Sequence, residues 1–253
     1  MISFEEVDGT GFIQLGINDK NSFSNESFLA LKQTIQKAKD SNSKVIVLKS
    51  NSPGSFSLGL DLTTVSTMDM SKDLAPFLNL FYENLKALYT LPVPTIAEVS
   101  GHALGYGAML ALVCDYRFST EDIRFGLPEV KIGIQVPSFI YALMGEAVGY
   151  DAAKRHVLLG DAFKAKEMPT LFEVNCLQTK KNLKKKSKSL QTKLKKNSLS
   201  AMKDTKSGIL NVQKNLLALI ETDIKSTIQS IQSKDAQEGI SASVQVRRPV
   251  FTS

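Results

Sequence analysis

A strand, a glycine loop and a helix follow one another within residues 94–133, PTIAEVSGHALGYGAMLALVCDYRFSTEDIRFGLPEVKIG. Residues 95–99 alternate like a short strand, a loop with three glycines follows, and residues 108–113 are an apolar run of helix formers. The helix therefore begins inside the glycine loop. Its first N–H groups have no partners within the helix, so the loop can receive an oxygen with developing negative charge. A helix that only packs closely on a sheet would give the same pattern, and both interpretations stand here.

The length and composition limit the classes of protein to which the chain can belong. The chain has 253 residues, of which 43% are hydrophobic and 22% charged, enough for one sizeable core with a smaller appendage. The first residues, MISFEEVDG, lack a basic segment followed by an apolar one, and no apolar run approaches the ~20 residues of a membrane span. The two cysteines, Cys114 and Cys176, have no metal-ligand spacing and indicate reduced thiols. We expect a cytoplasmic protein without a membrane segment or a metal site.

Most of the net charge of +6 comes from one lysine-rich segment. Subtracting its nine charges leaves about −3 for the rest of the chain. Leu183, Leu190 and Leu194 mark an apolar helix face, so we interpret the lysines as its solvated face. No aromatic residue interrupts them to stack on bases, so we keep nucleic-acid or other polyanion binding by this segment only as a less favoured alternative. The lysines are Lys180, Lys181, Lys184, Lys185, Lys186, Lys188, Lys193, Lys195 and Lys196.

Strand and helix patterns alternate through the first two thirds of the chain. Residues 2–7 and 11–17 predict a hairpin joined at Asp8-Gly9, and residues 44–49, KVIVLK, predict a strand buried on both faces. Residues 74–91 predict a helix with one apolar stripe. This alternation predicts an α/β core, with strands joined by helical crossovers, that reaches to about residue 174.

The tail differs from this core because nothing from Thr179 onward has a strand pattern. The lysine-rich segment predicts one amphipathic helix, and residues 209–231 predict one long helix. We therefore divide the chain into a core domain, residues 1–178, that carries the site, and a C-terminal helical module, residues 179–253.

A second loop, residues 51–62, NSPGSFSLGLDL, also places turn residues beside an apolar motif. Gly59 would let the backbone turn sharply after a buried strand and leave the N–H of Leu60 pointing into a cleft. An ordinary turn would explain the stretch equally well when it is taken alone.

Together the two loops resemble the enoyl-CoA hydratase/isomerase (crotonase) superfamily. The similarity covers about residues 4–174 and is closest to the mitochondrial-type 3,2-enoyl-CoA isomerase branch, which has counterparts of LVCDYRF, GLPEVKIGI and SKDAQEGI. The matching motifs are FSLGLDL at residues 56–62, GHALGYG at residues 101–107, CDYR at residues 114–117, FGLPE at residues 125–129, and Gly160.

The resemblance implies a spiral of ββα units followed by a C-terminal helical module. It implies acyl-CoA thioester substrates, in which coenzyme A is part of the substrate and no separate cofactor is needed. It also implies a homotrimer or a hexamer, assembled partly through the C-terminal helices.

The same resemblance assigns roles by motif position. The backbone N–H groups of Leu60 and Tyr106 would form an oxyanion hole for the thioester carbonyl, and Glu129 would be the catalytic carboxylate. Tyr106 stands where a glycine is common in the family, which bears on the width of the acyl pocket. The residues implied to bind substrate are Lys20, Ser57, Leu58, Gly59, Asp61, Gly105, Met109, Pro128 and Pro137.

The carboxylates expected in the family are incomplete in this chain. Family hydratases use two glutamates, of which one matches Glu129 and the other falls on Met109; a further acidic position, used by dienoyl-CoA isomerases, falls on Pro137. One base is enough to move a double bond, because it can take a proton from the α carbon of a 3-enoyl-CoA and return it at the γ carbon. The apolar neighbours of Glu129 predict a raised pKa. We therefore expect a 3,2-trans-enoyl-CoA isomerase, with a hydratase-like enzyme of the superfamily or an inert acyl-CoA binder as the alternatives.

Overall fold

The computed structural model describes residues 1–172 and 179–252 and has the mixed α/β architecture expected from the sequence. The predicted hairpin at Asp8-Gly9 is present, and both turn residues have positive φ, 48° and 68°. The strands are β1 (Ser3–Val7), β2 (Thr10–Leu15), β3 (Val45–Ser50), β4 (Ser55–Ser57), β5 (Thr95–Val99), β6 (His102–Leu104), β7 (Tyr116–Ser119), β8 (Arg124–Gly126) and β9 (Phe163–Lys164).

The helices alternate with these strands up to residue 159 and then follow one another without strands from residue 180. Within residues 1–172 and 179–252, no helix has both the length and the apolar character needed to cross a membrane. The helices are α1 (Asn25–Asp40), α2 (Leu62–Ser66), α3 (Leu74–Tyr89), α4 (Tyr106–Leu112), α5 (Ser138–Val148), α6 (Tyr150–Leu159), α7 (Lys180–Lys195), α8 (Leu199–Val212), α9 (Lys214–Ile231) and α10 (Lys234–Val244), with 3-10 turns at Glu129–Ile132, Ala165–Glu167 and Pro169–Leu171.

The strands form two sheets. One has the order β1-β2-β3-β5-β7, with the β1–β2 hairpin antiparallel and the other described pairs parallel, and the other has the order β4-β6-β8-β9. The centre of the first sheet is β3, whose Ile46 and Leu48 join the main core, whereas Val45 and Val47 join a second apolar cluster. The prediction that this strand is buried on both faces is therefore confirmed.

Helix α7 covers the second cluster. Leu183 and Leu194 pack with Val45 and Val47 of β3, and most of the lysines on α7 are exposed. The predicted amphipathic helix is confirmed, and its apolar face is buried on the sheet.

The single long helix predicted at residues 209–231 is wrong, because α8 ends at Val212 and α9 begins at Lys214. Gln213, between them, has φ −90° and ψ 13°. Its side chain accepts a hydrogen bond from the Tyr89 hydroxyl at 2.7 Å and donates one to Glu146 at 2.9 Å. Both partners come from the core, so the break lies at a tertiary contact that the helical periodicity does not reveal.

Two predictions concern residues outside the described part of the chain. The end of the core at about residue 174 and the division between residues 178 and 179 both fall within residues 173–178. Cys176 lies there as well. Cys114 is buried, and its burial raises the pKa of its thiol to about 12, as suits a structural cysteine.

Helix α10 packs directly on the 3-10 turn Glu129–Ile132 through two glycines. A Cβ atom on Gly239 would lie 2.2 Å from the carbonyl oxygen of Ile132, and a Cβ atom on Gly133 would lie 2.6 Å from the backbone carbon of Asp235. Only glycine allows the two backbones to approach this closely. The tail therefore supports the segment that begins with Glu129.

Gly239→Ala should lower the free energy of unfolding by about 1–3 kcal/mol, because the added methyl group forces α10 away from Ile132. Gly208→Ala, in the exposed part of α8 where a Cβ atom meets nothing within 4 Å, should instead add about 0.5–1 kcal/mol through helix propensity. Urea unfolding of both variants measures the difference. Equal stabilisation by the two substitutions would contradict this close contact.

Candidate active site

The loop that follows β4 turns at Gly59, which has φ +97°. A Cβ atom there would lie 3.2 Å from the carbonyl oxygen of Leu104 and 3.3 Å from the amide nitrogen of Tyr106. The loop after β4 and the loop after β6 therefore touch, backbone to backbone. These are the two loops that the sequence singled out separately.

The amide of Leu60 is oriented by its neighbours. Phe23 donates its N–H to the carbonyl of Gly59 at 2.9 Å, and its own carbonyl accepts from the N–H of Asp61, also at 2.9 Å. Successive peptide groups in an extended chain point in opposite directions, so the N–H of Leu60 faces away from Phe23. No acceptor within the described residues takes that N–H.

Residues 18–21 hold this loop in place through hydrogen bonds. Asn21 is buried, and its carbonyl accepts from the Ser57 hydroxyl at 2.7 Å, while Ser57 Oγ accepts from the Gly59 N–H at 3.2 Å. The Lys20 carbonyl accepts from the Leu58 N–H at 2.9 Å. Asn21 has φ 46°, a conformation that asparagine tolerates better than most residues. Lys20 and Ser57 thus shape the turn through these contacts.

The second loop ends at Gly105, with φ 53°, and Tyr106 begins α4. As the first residue of a helix, Tyr106 has no partner for its N–H inside the helix. Its ring is buried and packs against Phe23, Phe28 and Phe81 with centroid distances of 4.9, 4.9 and 4.5 Å. The Tyr106 ring, at the position where the resemblance led us to expect a glycine, is therefore accommodated in an aromatic cluster.

Glu129 begins the 3-10 turn and lies beside the second loop. A Cβ atom on Gly105 would lie 3.3 Å from Glu129 Oε1. The other oxygen, Oε2, is buried and has no hydrogen-bond partner within the described residues. Burial raises the pKa of Glu129 to about 7, against the opposing effect of a hydrogen bond from its own backbone N–H. The raised pKa expected from its apolar neighbours agrees with this environment.

These groups surround a cavity of about 200 Å³. Of the site residues expected from the sequence, Leu58, Gly59, Leu60, Gly105, Tyr106, Met109, Pro128, Glu129 and Pro137 line it. Ser57, Lys20 and Asp61 are not among its lining residues. Asp61 instead caps α2, accepting from the N–H of Thr63 at 3.1 Å and the hydroxyl of Thr64 at 3.0 Å.

The sequence motifs assign no role in the site to the other lining residues. Leu78 and Phe81 belong to the apolar stripe of α3, which the periodicity identified only as core. Thr227 and Ile231 come from α9 in the tail. No local signal distinguishes these residues, because their role depends on long-range packing. The remaining members are Leu62, Lys131, Ile132, Ile134 and Gln135.

Helix α9 is fixed at this wall by buried polar contacts. Thr227 Oγ1 lies 2.7 Å from the hydroxyl of Tyr82, and Asp223 accepts from the N–H groups of Ser138 and Phe139 at 2.9 and 2.8 Å. Asp223 thereby caps the start of α5, directly after Pro137. The tail closes the cavity within the same chain.

A family model described as "Enoyl-CoA hydratase/isomerase" matches residues 8–253. The chain belongs to this enzyme family, the crotonase superfamily. "Probable enoyl-CoA hydratase 2, mitochondrial" of Arabidopsis thaliana is 26% identical over 248 residues, which are 96% of this chain and 82% of the relative. "Methylglutaconyl-CoA hydratase, mitochondrial" of Homo sapiens is 32% identical over 166 residues, or 64% of this chain, and the match spans about half, 49%, of that protein.

The solved structures support the crotonase-like fold. The crystal structure of human mitochondrial delta3-delta2-enoyl-CoA isomerase superposes with a TM-score of 0.88 at 22% identity, covering 97% of both chains. The spiral α/β core with its C-terminal helical region is therefore confirmed. As an enzyme of the enoyl-CoA hydratase/isomerase superfamily, the protein presents the cavity described above as its candidate active site.

Gly59→Ala should lower the free energy of unfolding by about 1–3 kcal/mol, because alanine is strained at positive φ and its methyl group would crowd the backbone of residues 104–106. Gly54→Ala, where a Cβ atom meets nothing within 4 Å, should change it by less than about 0.5 kcal/mol. The urea midpoints of the two variants give the comparison. A Gly59→Ala variant as stable as Gly54→Ala would refute the contact between the loops.

Proposed function

We propose that this enzyme is a 3,2-trans-enoyl-CoA isomerase that uses Glu129 as its single base. The observation that carries the proposal is the composition of the cavity lining. Among the described lining residues, Glu129 supplies the only carboxylate, and Met109 and Pro137 occupy the positions where other branches of the family place a second one.

Double-bond migration requires a proton to be removed at one carbon and returned two carbons away. In a 3-enoyl-CoA, the α proton is acidified by both the thioester and the alkene. Glu129 removes it, the electrons pass into a dienolate, and the protonated Glu129 then delivers the proton to the γ carbon. A carboxyl group with a pKa of about 7 suits both steps, because neither of its protonation states is strongly disfavoured near neutral pH.

The dienolate places negative charge on the thioester oxygen. The N–H groups of Leu60 and Tyr106, from the two touching loops, are the donors that we assign to that oxygen. A preorganised donor of this kind stabilises a transition state by about 3 kcal/mol. The backbone contact at Gly59 keeps the two donors at a fixed separation without any side chain.

The rest of the lining is mainly apolar, which favours an aliphatic acyl group. The sulfur-bearing end of coenzyme A would enter with the substrate, and no further cofactor is part of the proposal. Assembly as a homotrimer or hexamer and a cytoplasmic location also belong to this proposal; they follow from the resemblance and from the sequence composition.

A hydratase is the second candidate, and the names of the relatives favour it, since both the Arabidopsis and the human relatives are named as hydratases. Hydration has to position a water molecule as well as deliver a proton, which usually requires two ionisable groups. Among the described lining residues, the other charged side chain is Lys131, whose ammonium group pairs with Asp161, and Gln135 and Thr227 are neutral. The cavity therefore suits isomerisation better.

Glu129→Gln should reduce isomerisation of a 3-enoyl-CoA by about 10²–10⁴-fold, because it preserves the size of the side chain and removes the base. Glu5→Gln removes a carboxylate from the exposed strand β1 and is the matched control, with activity expected within twofold of wild type. Conjugation of the double bond can be followed by absorbance.

The same assay separates the two candidate functions when 2-enoyl-CoA is supplied and hydration is followed by product mass. The wild type should isomerise far faster than it hydrates. A comparable or faster hydration rate, or unchanged isomerisation by Glu129→Gln, would overturn the single-base proposal. If the protein showed neither activity, the remaining interpretation would be an inert acyl-CoA binder.

The pH dependence of kcat/KM should report the ionisation of Glu129. The carboxylate is the active form, so kcat/KM should reach a plateau above pH 7 and fall towards tenfold per pH unit below about 7, the pKa expected for Glu129. Rates measured from pH 5 to pH 9 test this. A profile that stays flat down to pH 5 would mean that Glu129 has an ordinary pKa or is not the base.

A further inference from the structure

Another cavity, of about 400 Å³, lies between α7 and the first sheet, where β1, β2, β3 and β5 contribute to its lining. Lysines line both of its walls: Lys184, Lys188 and Lys195 from α7, and Lys49 from the end of β3. We call it the lysine cleft. It shares no lining residue with the candidate active site, so the proposed isomerase reaction does not explain it.

The three helix lysines form a row. They are separated by four and seven residues, spacings that bring side chains to the same flank of a helix. At 1.5 Å per residue, the row from Lys184 to Lys195 spans about 16 Å. Lys49 approaches from the sheet, and its ammonium group lies 4.2 Å above the ring of Phe12.

Acidic groups in the cleft balance only part of this charge. Among the described residues, two carboxylate residues, Asp8 and Glu98, line it together with the four lysines, which leaves two more positive than negative charges. Burial raises the pKa of Glu98, against the opposing effects of a hydrogen bond from Ser187 and the charges of Lys49 and Lys184. Lys195 donates to the Asp8 carbonyl at 2.8 Å, which uses one of its three N–H bonds.

We propose that the lysine cleft binds a polyphosphate, either inorganic or carried by a nucleotide. Lysine ammonium groups are compact point charges that suit phosphate oxygens. A row about 16 Å long suits a chain of phosphates better than a single one. Phe12, which lines the cleft and is only partly buried, gives an attached nucleoside an apolar surface.

The test uses isothermal titration of the full-length protein with sodium tripolyphosphate and, separately, with adenosine triphosphate. The cleft variant is Lys184→Gln/Lys188→Gln/Lys195→Gln. The matched control, Lys185→Gln/Lys186→Gln/Lys193→Gln, removes three exposed lysines of the same helix that do not line the cleft. Each variant lowers the net charge by three, from +6 to +3.

We expect the cleft variant to lose at least tenfold in affinity for tripolyphosphate and the control to stay within threefold of wild type. Tighter binding of adenosine triphosphate than of tripolyphosphate would identify a nucleotide as the ligand, and equal or weaker binding would identify an inorganic chain. If the triple variant does not fold, Lys184→Gln/Lys188→Gln keeps the bond between Lys195 and Asp8 and should still lose several-fold in affinity.

Three outcomes would overturn the proposal. Equal weakening by the cleft and control variants would show a diffuse attraction to the lysine-rich surface. A wild-type protein that binds neither polyanion at millimolar concentration would leave the lysines as a solvated face. Competitive displacement of tripolyphosphate by free coenzyme A would assign the lysines to the phosphates of the acyl-CoA substrate. None of these outcomes bears on Glu129, so the isomerase proposal is tested independently.

Discussion

The candidate site depends on the backbone contact between two loops that lie about 45 residues apart in the sequence. Gly59 packs against the backbone of Leu104 and Tyr106 at distances that leave little room for a larger side chain. This contact places the N–H groups of Leu60 and Tyr106, for which the described residues provide no backbone acceptor, at one end of an apolar cavity. Because the donors are main-chain groups, their chemistry does not depend on which side chains carry them.

The C-terminal helices also contribute to the candidate site. Helix α10 supports the turn that begins with Glu129 through Gly239, and α9 contributes Thr227 and Ile231 to the cavity wall. Asp223 then fixes the start of α5 on the far side of the same wall. The tail is therefore part of the site. The Glu129 carboxyl is buried in this site, and its burial raises its pKa.

Tertiary contacts account for most of the differences between expectation and structure. The break at Gln213 coincides with hydrogen bonds to Tyr89 and Glu146, and helical periodicity carries no information about either partner. Lys206 illustrates the same limit, since it is buried and pairs with Asp115 at 2.6 Å although it lies in a helix whose neighbouring lysine is exposed. Charge and spacing alone do not distinguish it from a solvated lysine.

The sequence by itself determined the α/β alternation, the hairpin at Asp8-Gly9 and the two glycine loops. These follow from local rules, because periodicity and turn conformation are properties of neighbouring residues. The candidate base Glu129 came from the resemblance of the sequence to the crotonase superfamily. Only the tertiary structure decided that Lys20, Ser57 and Asp61 lie outside the cavity lining, that Thr227 and Ile231 belong to it, and that the Tyr106 ring lies among aromatic side chains. Those outcomes depend on which parts of the chain, distant in sequence, come into contact when the apolar faces are buried.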